Sequence, residues 1–232
     1  MTTLQTVREA LLHLFFPHTC SGCGNDSVPT HQSLCMRCLC DLPETGFAPH
    51  PENPVEKIFA GRLPVQAATS QYYFTKDSLM QRLMHALKYK GDQQLGFQLG
   101  LLMGEQLAAS SRFETDALVP LPLFAAREKK RGYNQAAVLC RGMSVALQVP
   151  VLDKLVIRAA ATATQTNKRR IERWTNMEGK FQVTDKTGAE GKRLLLVDDV
   201  ITTGATLEAC GQALLEIPGC TLYIASLCAT VR

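Results

Sequence analysis

One segment, residues 194–206, constrains the fold of this chain more than any other. It begins with four aliphatic residues, Leu194 to Val197, which predict a strand that is buried on both faces. Two aspartates follow, and then a short turn rich in threonine leads into an apolar helix. This order is typical of a parallel α/β sheet, in which ligands bind beyond the carboxyl ends of the strands.

The sequence from about residue 65 onwards fits the same architecture. Its apolar spacing switches repeatedly between the strand period and the helix period, which predicts a mostly parallel sheet with helices on both faces. The predicted strands are 65–74, 117–119, 194–197 and 221–227, and the predicted helices are 79–90, 94–110, 131–147 and 206–215.

Composition divides the chain into four parts. Residues 1–16 have apolar side chains at amphipathic spacing, which predicts a short packed helix over 2–15. Residues 17–41 are rich in cysteine and form a predicted metal module. Residues 42–64 hold five prolines and are predicted to be an irregular connector. Residues 65–232 form the α/β domain.

Charge and cysteine usage limit the classes of protein that the chain can belong to. The net charge of +4 suits an anionic ligand but falls short of the dense basic face of a dedicated DNA binder. No run approaches the roughly 20 apolar residues that cross a bilayer, and Arg8 and Glu9 interrupt any secretory signal. An odd count of nine cysteines argues against a disulfide framework. We therefore expect a cytoplasmic protein without a transmembrane segment.

The two aspartates and the turn after them have the chemistry of a sugar-phosphate site. The turn 202–206 offers threonine hydroxyls, Gly204 lets the backbone approach a ligand closely, and the next helix presents its first N–H groups to a phosphate. Asp198 and Asp199 can accept hydrogen bonds from vicinal ribose hydroxyls, directly or through Mg²⁺. The alternative is a turn in which Thr202 caps the helix and the aspartates are only solvated.

The cysteines at the start of the chain predict a metal site. Cys20 and Cys23 form one pair, and Cys35 and Cys38 form a second pair of the same spacing. Four thiolates so spaced can surround Zn²⁺ tetrahedrally and hold together a segment too polar to fold by burial, which predicts a structural site. Iron, an Fe–S cluster and a disulfide are the alternatives. Further candidate ligands are Cys40, His18 and His31.

Residues 194–206 resemble, over their whole length, the phosphoribosyl pyrophosphate (PRPP) signature of type I phosphoribosyltransferases. Other stretches resemble the ComF/GntX family, which is associated with competence or with the use of external DNA as a nutrient. With the cysteine-rich start, this resemblance covers nearly the whole chain. The stretches are 87–92, 119–122 and 130–135, together with Gln165, Arg173, Asn176 and Phe181.

The resemblance implies a PRPP site that works with Mg²⁺. In this fold the loop after the first core strand, here Leu121 and Pro122, usually holds pyrophosphate, and Arg173 would lie in a flexible lid. Lys88 and Arg131 are the preferred cationic partners of the diphosphate, although basic residues are often only solvated. The expected catalytic residues are Asp198, Asp199 and Arg173. The expected PRPP-binding residues also include Val197, Val200, Ile201, Thr202, Thr203, Gly204, Ala205 and Thr206.

Two functions follow from this resemblance. An enzyme would transfer the phosphoribosyl group to a nitrogen acceptor, mainly by positioning and by stabilising charge. The alternative is a non-catalytic regulatory or binding protein of DNA uptake or utilisation, with DNA or uptake-machinery proteins as partners. The chain ends at Arg232, directly after its last predicted strand. An acceptor pocket is therefore expected from residues 41–75 or from a partner, and the sequence predicts no oligomeric state.

Overall fold

The computed structural model describes residues 18–158, except 27 and 30, and residues 181–230. The predicted helix over 2–15 and the predicted lid residue Arg173 lie outside these residues. The described helices are α1 (Met36–Cys40), α2 (Pro54–Phe59), α3 (Leu79–Tyr89), α4 (Gln93–Ala108), α5 (Ala125–Arg131), α6 (Gln135–Leu147) and α7 (Ala205–Leu215). The described strands are β1 (Ala67–Tyr73), β2 (Ala117–Pro120), β3 (Val156–Arg158), β4 (Phe181–Val183), β5 (Arg193–Ile201) and β6 (Thr221–Ala229).

Four of the strands form a parallel sheet in the order β1-β6-β5-β2. The side chains of β5 alternate between two hydrophobic layers. Leu195 and Val197 belong to the layer formed with α3, α4 and α6, whereas Leu194 and Leu196 belong to the layer formed with α2 and α7. The predicted parallel sheet with helices on both faces is therefore confirmed.

The central strand β5 is longer than the sequence predicts. Its pairing with β2 stops at Val197 and Pro120, but its pairing with β6 continues to Ile201 and Ala229. The two aspartates therefore lie within the strand and not after it. Asp198 is the first residue of β5 beyond its pairing with β2. The crevice therefore opens on the β2 side of β5.

The predicted helix over 131–147 begins four residues later, at Gln135, and a separate helix that was not predicted ends at Arg131. α5 ends at Arg131, Gly132 turns the chain with a φ of 81°, and the Asn134 side chain accepts a hydrogen bond from the Ala136 N–H (3.0 Å) at the start of α6. Asn134 also donates from Nδ2 to the carbonyl oxygen of Leu121 (3.0 Å). This hydrogen bond from Asn134 fastens the start of α6 to the loop that follows β2.

The proline-rich connector contains more regular structure than we predicted. Residues 54–59 form α2, and the prediction of an irregular segment is wrong there because Pro54 lies in the first turn, where its missing N–H has no cost. The Asn53 side chain caps this helix by accepting from the Val55 N–H (2.9 Å) and the Glu56 N–H (3.2 Å). Near the start of the connector, Glu44 forms an antiparallel bridge with Tyr72 of β1.

A short antiparallel pair, β3 with β4, was not predicted from the sequence. Val156 and Phe181 are its buried residues, and both join the layer that contains α2 and α7. Each strand has only three residues, which is too short for a clear alternation of apolar and polar side chains. This pair lies beside the sheet and is not part of it.

Helices α4 and α6 pack closely because a glycine lies at their contact. A Cβ atom on Gly142 of α6 would overlap the carbonyl oxygen of Phe97 on α4. The obstacle is backbone, which cannot turn away as a flexible side chain would. Only a residue without a side chain therefore allows this separation of the two helices.

We predict that Gly142→Ala destabilises the protein by about 1–3 kcal/mol or more, as overpacked cores do, because α4 and α6 must separate. Gly188→Ala is the matched control, since a Cβ there meets nothing within 4 Å and its backbone is not left-handed. Urea unfolding measures both free energies. Equal unfolding midpoints for the two variants would contradict the close contact.

Candidate functional site

The crevice lies where β2 ends and β5 continues. The N–H of Leu121, the first residue after β2, donates to the carbonyl oxygen of Val197 (2.8 Å), which holds the start of this loop against β5. Leu121 is buried and Pro122 is half-buried. The side chains of Val197 and Ile201 are buried as well, so these two residues can offer a ligand only their backbone groups.

Asp198 and Asp199 point to opposite faces of the sheet, as successive residues of a strand do. Asp199 faces α3, where its Oδ2 lies 2.9 Å from Nζ of Lys88, and both side chains are largely buried. Asp198 faces α7, and its Oδ1 accepts a hydrogen bond from the Asp199 N–H (2.7 Å). Lys88, which we expected beside a diphosphate, is thus the ion-pair partner of Asp199.

Electrostatics in the crevice favour a protonated Asp198. Burial raises the pKa of Asp198, and the adjacent carboxylate of Asp199 raises it further. The amide of Asp199 and the ammonium group of Lys88 act in the opposite direction without reversing the shift. The two carboxylates therefore lie together with too little positive charge nearby to neutralise both of them. This is typical of a site that accepts a cation or hydroxyl donors.

The turn after β5 presents an open helix terminus beside the two aspartates. Thr202 and Thr203 are exposed, and Gly204, with a φ of 75°, leads into the eleven-residue helix α7. The Oγ1 of Thr203 accepts from the Ala205 N–H (3.4 Å). The first N–H groups of a helix have no partner within the helix and carry a partial positive charge, so this turn can hold a phosphate group.

The connector supports this turn from behind. A Cβ atom on Gly204 would lie 2.7 Å from Cγ2 of Ile58 and 3.0 Å from the ring of Phe59, so the turn rests directly on α2. Arg62 donates from Nη1 to the carbonyl oxygens of Thr203 (3.0 Å) and Ile58 (3.1 Å). Sequence analysis did not single out Arg62, because 141 residues separate it from Thr203.

Two further basic residues lie on the loop side of the crevice. Arg131 donates from Nη1 to Oε1 of Gln135 (2.8 Å), and its guanidinium group lies 5.8 Å from the ring centre of Tyr89. Arg158, at the end of β3, was not predicted as a site residue. Its guanidinium carbon lies 3.4 Å from the ring centre of Phe124, which ends the loop after β2. Arg158 therefore joins the β3–β4 pair to this loop.

The four predicted cysteine ligands come together in the structure. The sulfur atoms of Cys20, Cys23, Cys35 and Cys38 all lie within 4.8 Å of one another, and those of Cys23 and Cys35 are 3.7 Å apart. Tetrahedral Zn²⁺ with bonds of about 2.3 Å sets its sulfur ligands about 3.8 Å apart, so the donor set fits zinc. The alternative ligands lie outside the cluster. They are Cys40, His31 and His18, whose Nε2 pairs with the carbonyl oxygen of Gln32 (2.6 Å).

Two thiols of the cluster, those of Cys20 and Cys38, have pKa values shifted in opposite directions. Burial acts to raise the pKa of Cys20, but backbone N–H groups of Cys35, Cys23 and Gly22 outweigh it and lower that pKa to about 6. The pKa of Cys38 is raised by burial and by the neighbouring sulfurs of Cys20, Cys23 and Cys35. Close packing therefore opposes ionisation of Cys38, whereas a bound divalent metal would favour the thiolate form of its ligands.

The cysteine module packs against α3 and α4 through side-chain hydrogen bonds. Ser21 donates from Oγ to Oδ2 of Asp92 (2.6 Å), and Arg82 donates from Nε to the carbonyl oxygen of Gly22 (3.1 Å). A cavity of about 1000 Å³ lies between the module and α3, lined in part by Arg82, His85 and Lys90. Asp77, Asp92 and Cys20 line it too, so its charges are of both signs.

The sheet order, the two aspartates and the open turn before α7 define a phosphoribosyltransferase-type domain. Residues 112–231 match the phosphoribosyl transferase domain family, which spans half of the chain. Among the described residues, no helix combines the length and the apolar character that crossing a bilayer would require.

Three relatives narrow the family. The DNA utilization protein YhgH of Salmonella typhimurium is 29% identical over 91% of this chain and 90% of its own length. Competence protein F of Haemophilus influenzae is 37% identical over 44% of this chain and 45% of its own length. Competence protein ComFC of Bacillus subtilis is 30% identical over 62% of this chain and 56% of its own length. The chain therefore belongs to the ComF family of phosphoribosyltransferase-like proteins, as its sequence indicates.

We predict that Cys23→Ser lowers the zinc content of the protein well below one ion per chain, because three thiolates remain in the cluster. Cys40→Ser is the matched control, since Cys40 is equally exposed but lies outside the cluster. Atomic emission on protein dialysed against a weak chelator measures the content. Loss of zinc from both variants alike would contradict the ligand set.

We predict that part of the stability of the ligand-free protein declines as pH rises. Asp198 has a raised pKa in the folded state, so it keeps its proton to a higher pH than in the unfolded chain. Unfolding between about pH 6 and pH 8 therefore releases protons, and the free energy of unfolding decreases with pH. Asp198→Asn should make this decrease shallower, as measured by urea unfolding of zinc-loaded protein.

The exposed residue Asp153 offers the control for this experiment. Asp153→Asn should leave the pH dependence as it is in the wild type, because it removes an exposed carboxylate that is not part of the crevice. Parallel curves for the wild type and Asp198→Asn would show that Asp198 is ionised at both pH values.

Proposed function

We propose that the crevice binds PRPP together with Mg²⁺ and transfers the phosphoribosyl group to a nitrogen acceptor. The observation that carries this proposal is the direct succession, in one segment, of a half-buried carboxylate, a buried carboxylate and an open helix terminus. A sugar phosphate needs both features, the carboxylates for its ring hydroxyls and the helix terminus for its 5′-phosphate. The two features must be separated by about the distance between those groups of the ligand. Membership of the ComF family supports the same ligand class.

The 5′-phosphate would bind at the turn of residues 202–204, the phosphate turn. The first N–H groups of α7 would donate to its oxygens, and the exposed hydroxyls of Thr202 and Thr203 would complete the set of donors. The positive end of the helix dipole adds a favourable charge interaction. Because the turn rests on α2, these donors need little rearrangement when the ligand arrives.

The ribose would bind beside Asp198 and Asp199. A carboxylate pair that lacks positive charge fits ribose hydroxyls and Mg²⁺, a cation that prefers a few carboxylates together with substrate phosphates. When bound, Mg²⁺ would supply positive charge to the pyrophosphate group. Ligand binding would also release Lys88 from Asp199, and its ammonium group could then pair with a diphosphate oxygen.

The reaction breaks one bond and forms another at the first carbon of the ribose. The bond to the pyrophosphate oxygen breaks, and its electron pair leaves with pyrophosphate. The acceptor nitrogen forms the new bond and loses its proton. The protein contributes mainly by positioning, by the donors at the phosphate turn, and by Lys88 and the loop after β2 on the side of the leaving group. Arg173 stays a proposed lid residue.

The described part of the connector favours a second candidate, a binding protein without transferase activity. We expected an acceptor pocket from residues 41–75, but residues 43–45 lie along the edge of β1 and residues 54–62 lie behind the phosphate turn. Both stretches pack within the domain, so they do not form the expected acceptor pocket. We propose, in either case, a cytoplasmic role in competence or DNA utilisation and a structural zinc ion in the cysteine module.

Calorimetry with PRPP and Mg²⁺ on zinc-loaded protein tests the ligand site. We expect saturable binding by the wild type and by Asp153→Asn, and loss of binding by the double variant Asp198→Asn, Asp199→Asn. Absence of binding by well-folded wild type would overturn the proposal. If binding is present, a pyrophosphate-release assay over a panel of nitrogen acceptors distinguishes the enzyme from the binding protein.

A further inference from the structure

We infer that Arg62 is a positioning residue of the phosphate turn, and that it neutralises Glu208 so that the start of α7 can accept a phosphate. This inference rests on the proposed function, because it concerns the same turn. It assigns a specific task to the connector, a part of the chain that lies outside the matched domain, residues 112–231.

The guanidinium group of Arg62 joins three parts of the structure. Nη1 donates to the carbonyl oxygen of Ile58 in α2 (3.1 Å) and to that of Thr203 in the turn (3.0 Å). Nη2 forms an ion pair with Oε2 of Glu208 in the first turn of α7. The planar fork of an arginine suits this arrangement, because its donors keep fixed directions. Arg62 thereby holds the turn between two helices.

Glu208 has two opposing effects at the start of α7, and Arg62 removes the unfavourable one. A carboxylate in the first turn of a helix stabilises the helix by interacting with its dipole. The same negative charge would repel a phosphate that binds at this terminus. The side chain of Glu208 is only 22% exposed, so water screens its charge poorly. The ion pair with Arg62 cancels the charge and leaves the N–H groups of α7 attractive to an anion.

Two effects of Arg62 can be separated by a double-mutant cycle. If Arg62 acts through charge, its removal leaves Glu208 unpaired, and removal of Glu208 as well should restore phosphate binding. If Arg62 only supports the shape of the turn through Thr203 and Ile58, the second substitution cannot restore binding. Restored phosphate binding in the double variant is therefore the result that a merely structural role of Arg62 would not produce.

The experiment measures calorimetric Kd values for PRPP with Mg²⁺, and for ribose 5-phosphate, in the wild type and four variants. We expect Arg62→Gln to weaken binding roughly tenfold, the effect of one unpaired charge several ångströms from the phosphate in a partly screened site. The double variant Arg62→Gln, Glu208→Gln should recover most of this loss. The loss in Arg62→Gln should also shrink as salt is added.

Two further variants complete the design. Lys57→Gln removes an exposed cation from α2, the helix that precedes Arg62, and should leave both Kd values unchanged. Glu208→Gln keeps Arg62 and should bind at least as tightly as the wild type, which provides a test even if Arg62→Gln folds poorly. Thermal unfolding of each variant reports whether it is folded.

The outcomes separate this inference from the proposed function. If the wild type binds neither ligand, both fail together. If the wild type binds but Arg62→Gln binds equally well, or if the double variant stays as weak as Arg62→Gln, the role of Arg62 is overturned while the PRPP site stands. Weaker binding by Glu208→Gln would likewise overturn the charge argument.

Discussion

The structure depends on the unequal pairing of β5 with its two neighbours. On one side β5 pairs with β6 as far as Ile201. On the other side its pairing with β2 ends four residues earlier, at Val197. The continued pairing with β6 keeps the two aspartates in extended backbone, and the early end of β2 leaves room beside them. A crevice thus arises from strand lengths alone, and the loop after β2, the phosphate turn and the partners of both carboxylates are arranged around it.

Two segments before the matched domain brace this arrangement from opposite faces. The cysteine module packs on α3 and α4, and α3 carries the Lys88 that pairs with Asp199. The connector packs on the other face, where α2 and Arg62 support the phosphate turn. These segments are therefore not appendages, because each contacts an element that carries residues of the candidate site. A metal ion bound by the four cysteines would favour folding of their segment and would thereby also support the helix that carries Lys88.

Local sequence patterns predicted the features that depend on neighbouring residues. Four aliphatic residues before Asp198 were enough to predict the central strand, although not its continuation through both aspartates to Ile201. The cysteine spacing was enough to predict that four sulfur atoms come together. Features that depend on distant contacts were not predicted. No pattern near Arg62 points to Glu208, 146 residues away, and the three-residue strands β3 and β4 are stabilised by packing, not by their own propensities. The prolines of the connector misled the prediction because Pro54 starts a helix instead of preventing one.

The opposite orientation of Asp198 and Asp199 has a mechanical consequence. One carboxylate faces the layer of α2 and α7, and the other faces the layer of α3, α4 and α6. A ligand that contacts both would act as a clamp across the open end of the sheet and would join the two hydrophobic layers on its opposite faces. Its binding energy would then be shared by both layers, so that slow amide exchange would extend to helices that never touch the ligand.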